Sequence, residues 1–231
     1  MPLREDDSAL RLFFCCTCVN LNVSTSEGAA LDLPREASQH PSHAPGIDAS
    51  RMEHALIRQA QAGDLEAVDE LYRTYHGGVF RYLYYQVGDT HTAEDLTAEV
   101  FEHMIKALPR YRIQGSAFQA WLFRIARNAA IDYFRKANMR RLTALDDNLP
   151  AAGNDPEVLA DQLLTSTHLL EALHKLNKNQ REVIILRFVV EMPIAEVARV
   201  LGKRQDAIKG LQRRGLIALR NLLADWNVGY E

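Results

Sequence analysis

Cysteine is scarce in this chain, and its placement excludes a fold built on disulfides. The only three are Cys15, Cys16 and Cys18, an odd number gathered in one short segment. The rest of the sequence has no thiol that could pair with them. Stability must therefore come from packing of the 47% of residues that are hydrophobic.

Long hydrophobic runs are also missing. Residues 10–21 imitate the core of a signal peptide, but Arg11, Thr17 and Asn20 interrupt this short segment. A membrane-spanning helix needs about 18 or more consecutive apolar residues. We therefore expect a cytoplasmic protein without membrane insertion.

Charge is distributed unevenly. The formal net charge is −3, yet residues 1–50 hold seven acidic and three basic side chains. Residues 106–141 hold nine basic and one acidic, and residues 203–220 hold six basic and one acidic. The sequence thus offers two separate basic surfaces for phosphates, although either block alone could be a solvated helix face.

The first 50 residues mix Ser, Pro, His, Gly and Ala without a sustained period. This composition predicts a disordered N-terminal extension over 1–50, with Met52 as a candidate alternative start. A first helical domain is predicted over 51–137. An acidic linker of no regular structure follows over 138–160, marked by Asn, Pro, Gly and Asp.

Within the first domain, capping residues mark the starts of helices. Asp64 precedes one apolar stripe, Thr92 with Asp95 precedes a second, and Ser116 with Gln119 precedes a third that runs to about residue 136. The pair Gly77-Gly78 predicts a loosened or broken helix, and Pro109 a helix end.

The second domain is predicted over 161–227. It has a helix around 163–176, a cap at Asn177, an apolar helix through Phe188, and two short helices that flank Gly202. No strand pattern competes anywhere in the sequence. The fold class is therefore all-α, with two small helical domains joined by a flexible linker.

The segment 193–214, PIAEVARVLGKRQDAIKGLQRR, has the spacing of a helix-turn-helix. Gly202 permits the left-handed turn, and Ile208 and Leu211 face inward from the second helix. Lys209 and Arg213 lie four residues apart, on the side that would meet the major groove. A helical hairpin with a solvated basic face is the structural alternative.

Residues 111–136 alternate aromatic with basic side chains, YRIQGSAFQAWLFRIARNAAIDYFRK. Single-stranded DNA suits this composition, because bases stack on aromatic faces while cations follow the phosphates. More than half of the aromatic side chains are nevertheless expected in the core.

Three motifs together resemble the sigma-70 family, extracytoplasmic-function group. They are DLTAEVF at 95–101, WLFRIARN at 121–128, and NQREVIILRF at 179–188 followed by the helix-turn-helix. The likeness runs from about Glu53 to Leu223, in the family's order. It implies that the first domain (sigma region 2) binds core RNA polymerase and melts the −10 element, while the second (sigma region 4) binds the −35 element.

The resemblance also assigns roles to individual residues. Asp95 and Glu99 fall where the family contacts the clamp helices of the polymerase's largest subunit. The positions that the family uses at the −10 element and the melted strand are Arg112, Ser116, Phe118, Gln119, Trp121, Arg124, Arg127 and Asn128. Those on the −35 face are Lys209, Gly210, Arg213 and Arg214. The implied partners are core RNA polymerase (beta and beta-prime subunits), promoter DNA, and an anti-sigma factor or other recruiting protein.

This chain departs from the family pattern at Pro193, Gly210, Leu211 and Gln212, and these positions affect the expected −35 contacts.

Two other classes of function are alternatives to a sigma factor. A stand-alone helix-turn-helix repressor would bind duplex operators as a dimer, but it leaves the aromatic and basic helix without a role. An enzyme or metal-dependent regulator would use Cys15, Cys16, Cys18, His40 and His43, whose spacing does not suit zinc. No nucleophile–base pair or glycine-rich phosphate loop supports an enzyme, so we expect neither catalytic residues nor a cofactor.

Overall fold

The computed structural model describes residues 47–113, 117–143 and 160–227. Within those ranges it contains eight α-helices and no strand, which confirms the all-α fold class. Four helices form the N-terminal domain: α1 Ile47–Gln61, α2 Leu65–Val87, α3 Thr90–Ala107 and α4 Phe118–Thr143. Four form the C-terminal domain: α5 Ala160–Lys175, α6 Lys178–Ile184, α7 Ile194–Leu201 and α8 Gln205–Asn227.

The first helix begins earlier than the sequence pattern indicates. Because α1 starts at Ile47, the last four residues of the predicted extension, 47–50, are helical. The remainder of the extension, residues 1–46, lies outside the described residues, as do Cys15, Cys16, Cys18, His40 and His43.

Helix α2 has the predicted start but not the predicted break. The carboxylate of Asp64 accepts hydrogen bonds from the backbone N–H groups of Glu66 and Ala67 at 2.9 and 3.4 Å, which confirms the cap. The helix then continues through Gly77 and Gly78 to Val87. A helical glycine costs roughly 1 kcal/mol, yet α2 stays helical where it passes α4: a Cβ at Gly78 would lie 3.5 Å from the ring of Phe123.

The start of α3 is set by Asp89 rather than by Thr92. The Asp89 carboxylate accepts a hydrogen bond of 2.7 Å from the backbone N–H of Thr92, and α3 begins at Thr90. Hydrogen bonds from the Thr92 hydroxyl and backbone lower the pKa of Asp89. At its other end α3 passes into a short 3₁₀ turn, Leu108–Arg110, which confirms that Pro109 ends the helix.

The N-terminal core lies among α1 to α4. Its largest fully buried side chains come from all four helices and from the 3₁₀ turn after α3: Ile57, Leu71, Tyr82, Leu83, Tyr85, Met104, Leu108, Phe118, Leu122 and Phe123. The side-chain amide of Gln61 donates hydrogen bonds to the carbonyls of Leu108 and Tyr111 at 2.9 and 2.7 Å. These bonds tie the end of α1 to the segment that leads into α4.

Helix α4 is longer than the sequence pattern indicates. It runs to Thr143, so residues 138–143 of the predicted linker are helical, and residues 144–159 lie outside the described residues. Its last eight residues, KANMRRLT from Lys136 onward, are mostly good helix formers by sequence, although they continue no apolar stripe.

In the C-terminal domain Asn177 caps α6, since its side-chain carbonyl accepts a hydrogen bond of 3.0 Å from the backbone N–H of Asn179. A π-helical turn, Ile185–Val189, follows α6. Gly202 ends α7 at φ +62°, as the helix-turn-helix pattern predicts. The next helix is not short, because α8 spans 23 residues.

The two domains touch. Helix α4 packs against α7, and α2 packs against the π-helical turn and α5. Gly88, which ends α2 at φ +82°, lies beside His174 of α5, and a Cβ there would be 3.3 Å from the imidazole. Across the described ranges, no helix has the length and apolarity that a membrane span requires.

Candidate nucleic-acid interface

Two acidic residues occupy the solvent side of α3. Asp95 is exposed and Glu99 is half-buried, four residues apart and opposite the buried Leu96 and Val100. Glu99 also lines a groove of about 500 Å³ between α3 and α4, together with Lys106, Arg110, Asn128 and Asp132 among others. The exposed end of α3 therefore presents negative charge, while the adjoining groove carries both signs.

Aromatic rings cluster where the chain enters α4. The Phe118 ring centroid lies 5.4 Å from those of Tyr75 and Tyr111 and 5.2 Å from that of Trp121. Phe118 is only 1% exposed, whereas Trp121 is half-buried and its centroid is 4.7 Å from that of Tyr111. Phe118 thus supports the cluster from inside, and Tyr111 and Trp121 form its outer side.

The loop ahead of α4 is described only in part. Arg112 is exposed and Gln119 is half-buried, whereas Ser116 lies in the segment 114–116, outside the described residues. The Ser116 cap is therefore untested.

The remaining predicted residues of α4 line one face that the C-terminal domain contacts. Nη2 of Arg124 donates a hydrogen bond of 3.1 Å to the backbone carbonyl of Arg199 in α7. Nε of Arg127 donates one of 3.2 Å to Oε1 of Glu182 in α6. Asn128 is exposed next to them. The structure therefore brings Arg124, Arg127 and Asn128 together, as predicted, but two of the three have partners in the other domain.

Sequence reasoning missed a buried polar group between the domains. Glu182 is 3% exposed on its side chain and Arg127 is 25% exposed. Tyr82 and Arg181 lie close to this pair. Burial raises the pKa of the Tyr82 hydroxyl, and the charge of Glu182 raises it further. Burial lowers the pKa of Arg181. The sequence contained one indication of this pair: Glu182 directly precedes the apolar run VIIL. An acidic side chain next to such a run is expected to be buried, and a buried charge requires a partner.

The helix-turn-helix holds its basic side chains outward. Ile208 and Leu219 of α8 are fully buried, whereas Lys209, Arg213 and Arg214 are exposed. Lys209 lies 3.8 Å from the carboxylate of Asp206, an exposed pair that contributes little. These three cations share the solvent side of α8, as predicted.

Gly210 lies beside the side chain of Arg214 on this surface. A Cβ at this position would lie 3.4 Å from Nη1 of Arg214, which is close to an ordinary contact with the end of a flexible side chain.

Position 215 lies where α8 packs against α6. A Cβ at Gly215 would lie 3.1 Å from Cγ1 and 3.3 Å from Cδ1 of Ile184. A Cβ at that distance would be crowded, so Ile184 would have to shift by a few tenths of an ångström.

No group of three or more His, Cys, Asp or Glu residues among the described residues could hold a metal ion. What the described surface does offer is two basic faces, one on α4 and one on α8, on separate domains.

Comparison with known families separates the chain into the same two parts. Residues 71–140 match Sigma-70 region 2, and residues 172–221 match Sigma-70, region 4. These matches place α2 to α4 in the first region and α6 to α8 in the second.

Curated relatives extend the match along the chain. The sequence is 39% identical over 188 residues to the ECF RNA polymerase sigma factor BldN of Streptomyces coelicolor, which covers 80% of this chain and 71% of that protein. It is 34% identical over 161 residues to the ECF RNA polymerase sigma factor SigX of Bacillus subtilis, covering 67% of this chain and 82% of that protein.

Solved structures share the fold. The structure of CnrH in complex with the cytosolic domain of CnrY matches with a TM-score of 0.59 at 25% identity, over 75% of this chain and 97% of that chain. The sigma factor RpoE of Bartonella quintana, solved with the anti-sigma factor NepR, matches with a TM-score of 0.56 at 21% identity, over 68% and 96% of the two chains.

Proposed function

Because the chain belongs to the extracytoplasmic-function group of the sigma-70 family, it is a sigma factor, and we propose that it directs core RNA polymerase to promoters through separate −35 and −10 contacts. One observation carries this proposal. An exposed basic face on the helix-turn-helix and an aromatic, basic helix lie on different domains of one chain. A factor that binds a duplex element and a melted element needs these two surfaces.

The C-terminal domain would bind the −35 element. With Ile208 and Leu219 packed inward, α8 can enter a major groove with Lys209, Gly210, Arg213 and Arg214 toward the DNA. An arginine there can fork onto a guanine, and Lys209 suits a phosphate.

The N-terminal domain would capture the −10 strand. Its contacts are proposed for Arg112, Ser116, Gln119, Trp121, Arg124, Arg127 and Asn128, with Phe118 holding the cluster from within. Flipping out a base costs a few kcal/mol, which stacking on an aromatic side chain, worth about 1–3 kcal/mol per base, can offset. DNA opening then needs neither a nucleotide nor a metal, and the chain would act by binding alone.

The polymerase contact is proposed for Asp95 and Glu99 on α3, with the beta and beta-prime subunits as partners. The two solved relatives above are complexes with CnrY and with the anti-sigma factor NepR, so an anti-sigma factor is proposed as a further partner. With core RNA polymerase and promoter DNA as partners, the protein would act in the cytoplasm. A dimeric helix-turn-helix repressor, by contrast, would have no use for the aromatic and basic side chains of α4.

The decisive experiment mixes the purified chain with core polymerase and a library of genomic promoter fragments. We expect co-elution and transcripts that start at a limited set of sites sharing −35 and −10 sequences. Co-elution without any promoter-dependent start, or no co-elution, would exclude the proposal.

The proposed −35 contacts predict how single substitutions on α8 change DNA binding. Arg213→Ala or Arg214→Ala should weaken binding to a −35 duplex by about 1–3 kcal/mol and relax the preference at one base pair. Lys209→Ala should weaken binding to all duplexes alike and reduce the salt dependence. Binding of duplexes substituted at each position, measured at several salt concentrations, separates the two effects. If all three variants bind the −35 duplex as well as the unmodified chain does, another face of the domain reads it.

A further inference from the structure

We propose that Glu53 and Gln61 of α1 are positioning residues for the melted strand: they hold the aromatic cluster and the segment ahead of α4 in the shape that accepts an unstacked base. This inference rests on the proposed function, which assigns the −10 strand to that cluster. Both residues act through other protein groups and not on DNA. The match to Sigma-70 region 2 begins at residue 71, so the role falls to a helix that precedes the matched region.

Gln61, the last residue of α1, fixes the turn that precedes the base-capture segment. Its side-chain nitrogen donates hydrogen bonds to the carbonyls of Leu108 and Tyr111 at 2.9 and 2.7 Å. The backbone N–H of Tyr111 donates a further bond of 3.0 Å to the Leu108 carbonyl. An amide nitrogen has two N–H donors, so one side chain can hold both carbonyls at once. The backbone that carries the Tyr111 ring is therefore fixed from α1.

Glu53, about two turns earlier on the same helix, holds the inner side of the cluster. The Tyr75 hydroxyl donates a hydrogen bond to Oε1 of Glu53, and the Tyr75 ring centroid lies 5.4 Å from that of Phe118. Burial raises the pKa of the Tyr75 hydroxyl, and the hydrogen bond and charge of Glu53 raise it further. The hydroxyl thus stays protonated and remains a donor to the carboxylate.

The same carboxylate also lies near the outer side of the cluster. Burial raises the pKa of the Tyr111 hydroxyl, and the charge of Glu53 raises it further, followed by that of Glu196. The rings of Tyr75 and Tyr111 each lie 5.4 Å from the ring of Phe118, measured between centroids. Glu53 therefore connects α1 to both rings that flank Phe118.

The outer rings need this support because the core holds them on one side only. Tyr111 and Trp121 are half-buried, with their centroids 4.7 Å apart. If the turn at Leu108 were free to move, Tyr111 would move with it, and ordering the ring on binding would reduce the affinity for the base. We therefore expect loss of the α1 contacts to weaken capture of the base and to spare contacts with the phosphates.

The test compares a strand that has its base with the same strand without it. The protein is the full chain bound to core polymerase. The probe is a single strand of about 12 nucleotides with the −10 sequence of a promoter that this complex transcribes. An abasic site, which keeps the phosphate, then replaces one nucleotide at a time. At the most sensitive position, the dissociation constant of the abasic strand divided by that of the complete strand is the base ratio.

Two variants each remove one hydrogen-bonding group and keep the size of the side chain. Gln61→Met removes both donors, and Tyr75→Phe removes the hydroxyl that binds Glu53 but keeps the ring. The matched controls are Gln59→Met on the exposed side of α1 and Tyr72→Phe on α2, where Tyr72 is 41% exposed. Circular dichroism checks that each variant is folded. If Gln61→Met does not fold, Tyr75→Phe decides alone.

For the unmodified chain we expect a base ratio of about tenfold, within the range for stacking on an aromatic side chain. Gln61→Met and Tyr75→Phe should each lower the ratio by about threefold or more, the usual contribution of a hydrogen bond, and both controls should keep it. A smaller folded fraction weakens binding of both strands alike and leaves the ratio unchanged. A folded variant of Gln61 or Tyr75 with the full ratio therefore overturns the proposal, even if it binds both strands more weakly. A control that lowers the ratio equally overturns it too.

Failure of the proposed function gives a different result. In that case the chain with core polymerase starts no promoter-dependent transcript, or the unmodified chain shows no base ratio at any position, and the inference falls with it. Failure of the inference alone leaves transcription and the base ratio of the unmodified chain intact, and only the variants contradict it.

Discussion

Replacing Asp95 and Glu99 together with arginine should weaken co-assembly with core polymerase by about a hundredfold or more. Like charges brought together at an interface cost several kcal/mol, and each 1.4 kcal/mol is about tenfold in affinity. The fold should survive, because Asp95 is exposed and Glu99 is half-buried on the solvent side of α3. Titration of labelled core polymerase with the purified variant gives the affinity.

The control is Glu66→Arg with Glu70→Arg. These residues are also four apart and exposed, on α2 of the same domain, so the control has the same change in net charge at another surface. Equal affinity of the two double variants would show that α3 is not the contact and that only the overall charge matters.

Phe118→Ala should destabilise the N-terminal domain by about 3–5 kcal/mol, the usual cost of removing a buried aromatic ring. Phe118 is 1% exposed and its ring meets those of Tyr75, Tyr111 and Trp121. The free energy of unfolding is measured with denaturant in a chain that also carries Trp226→Phe. Trp121 is then the only tryptophan, so its fluorescence reports the unfolding of the N-terminal domain.

Phe134→Ala, on the same helix, is the comparison. Phe134 is half-buried and Tyr133 is its ring neighbour, so we expect a cost of about 1 kcal/mol. If Phe118→Ala costs no more than Phe134→Ala, the ring of Phe118 is available at the surface and its role at the −10 element is direct.

Helix caps, glycine turns and helical periodicity were sufficient to predict much of this fold from the sequence. Caps at Asp64 and Asn177 and the left-handed turn at Gly202 each depend on one side chain or one backbone angle, and all three are confirmed. The inward and outward faces of α8 follow from its period, as Ile208 and Arg213 show. The fold class and the two-domain order are consequences of such signals.

The errors arose where tertiary packing overrides a local signal. Gly77 and Gly78 are weak helix formers, but α2 continues through both of them, and Gly78 lies beside Phe123 of α4. Thr92 matches a capping box, yet Asp89 three residues earlier caps the same helix with a better acceptor. At the end of α4 the apolar stripe stops before the helix does.

The candidate site was predictable only within each domain. Helical spacing placed Arg124, Arg127 and Asn128 on one face, and the structure agrees. That Glu182 and Arg199 of the other domain would meet this face depends on how two domains pack, for which a single sequence has no periodic signal. Glu182 could be recognised only as a charge in an apolar run.

The close approach of α8 to α6 at Gly215 separates a packing surface of α8 from an exposed one. A Cβ at 215 would lie 3.1 Å from Cγ1 of Ile184, so a larger residue there requires Ile184 or α8 to shift. Lys209, Arg213 and Arg214 lie on the opposite, exposed side and take no part in this crossing. A substitution at Gly215 is therefore expected to change how the domain packs while its exposed cations stay in place, whereas a substitution of one of those cations is expected to leave the packing as it is.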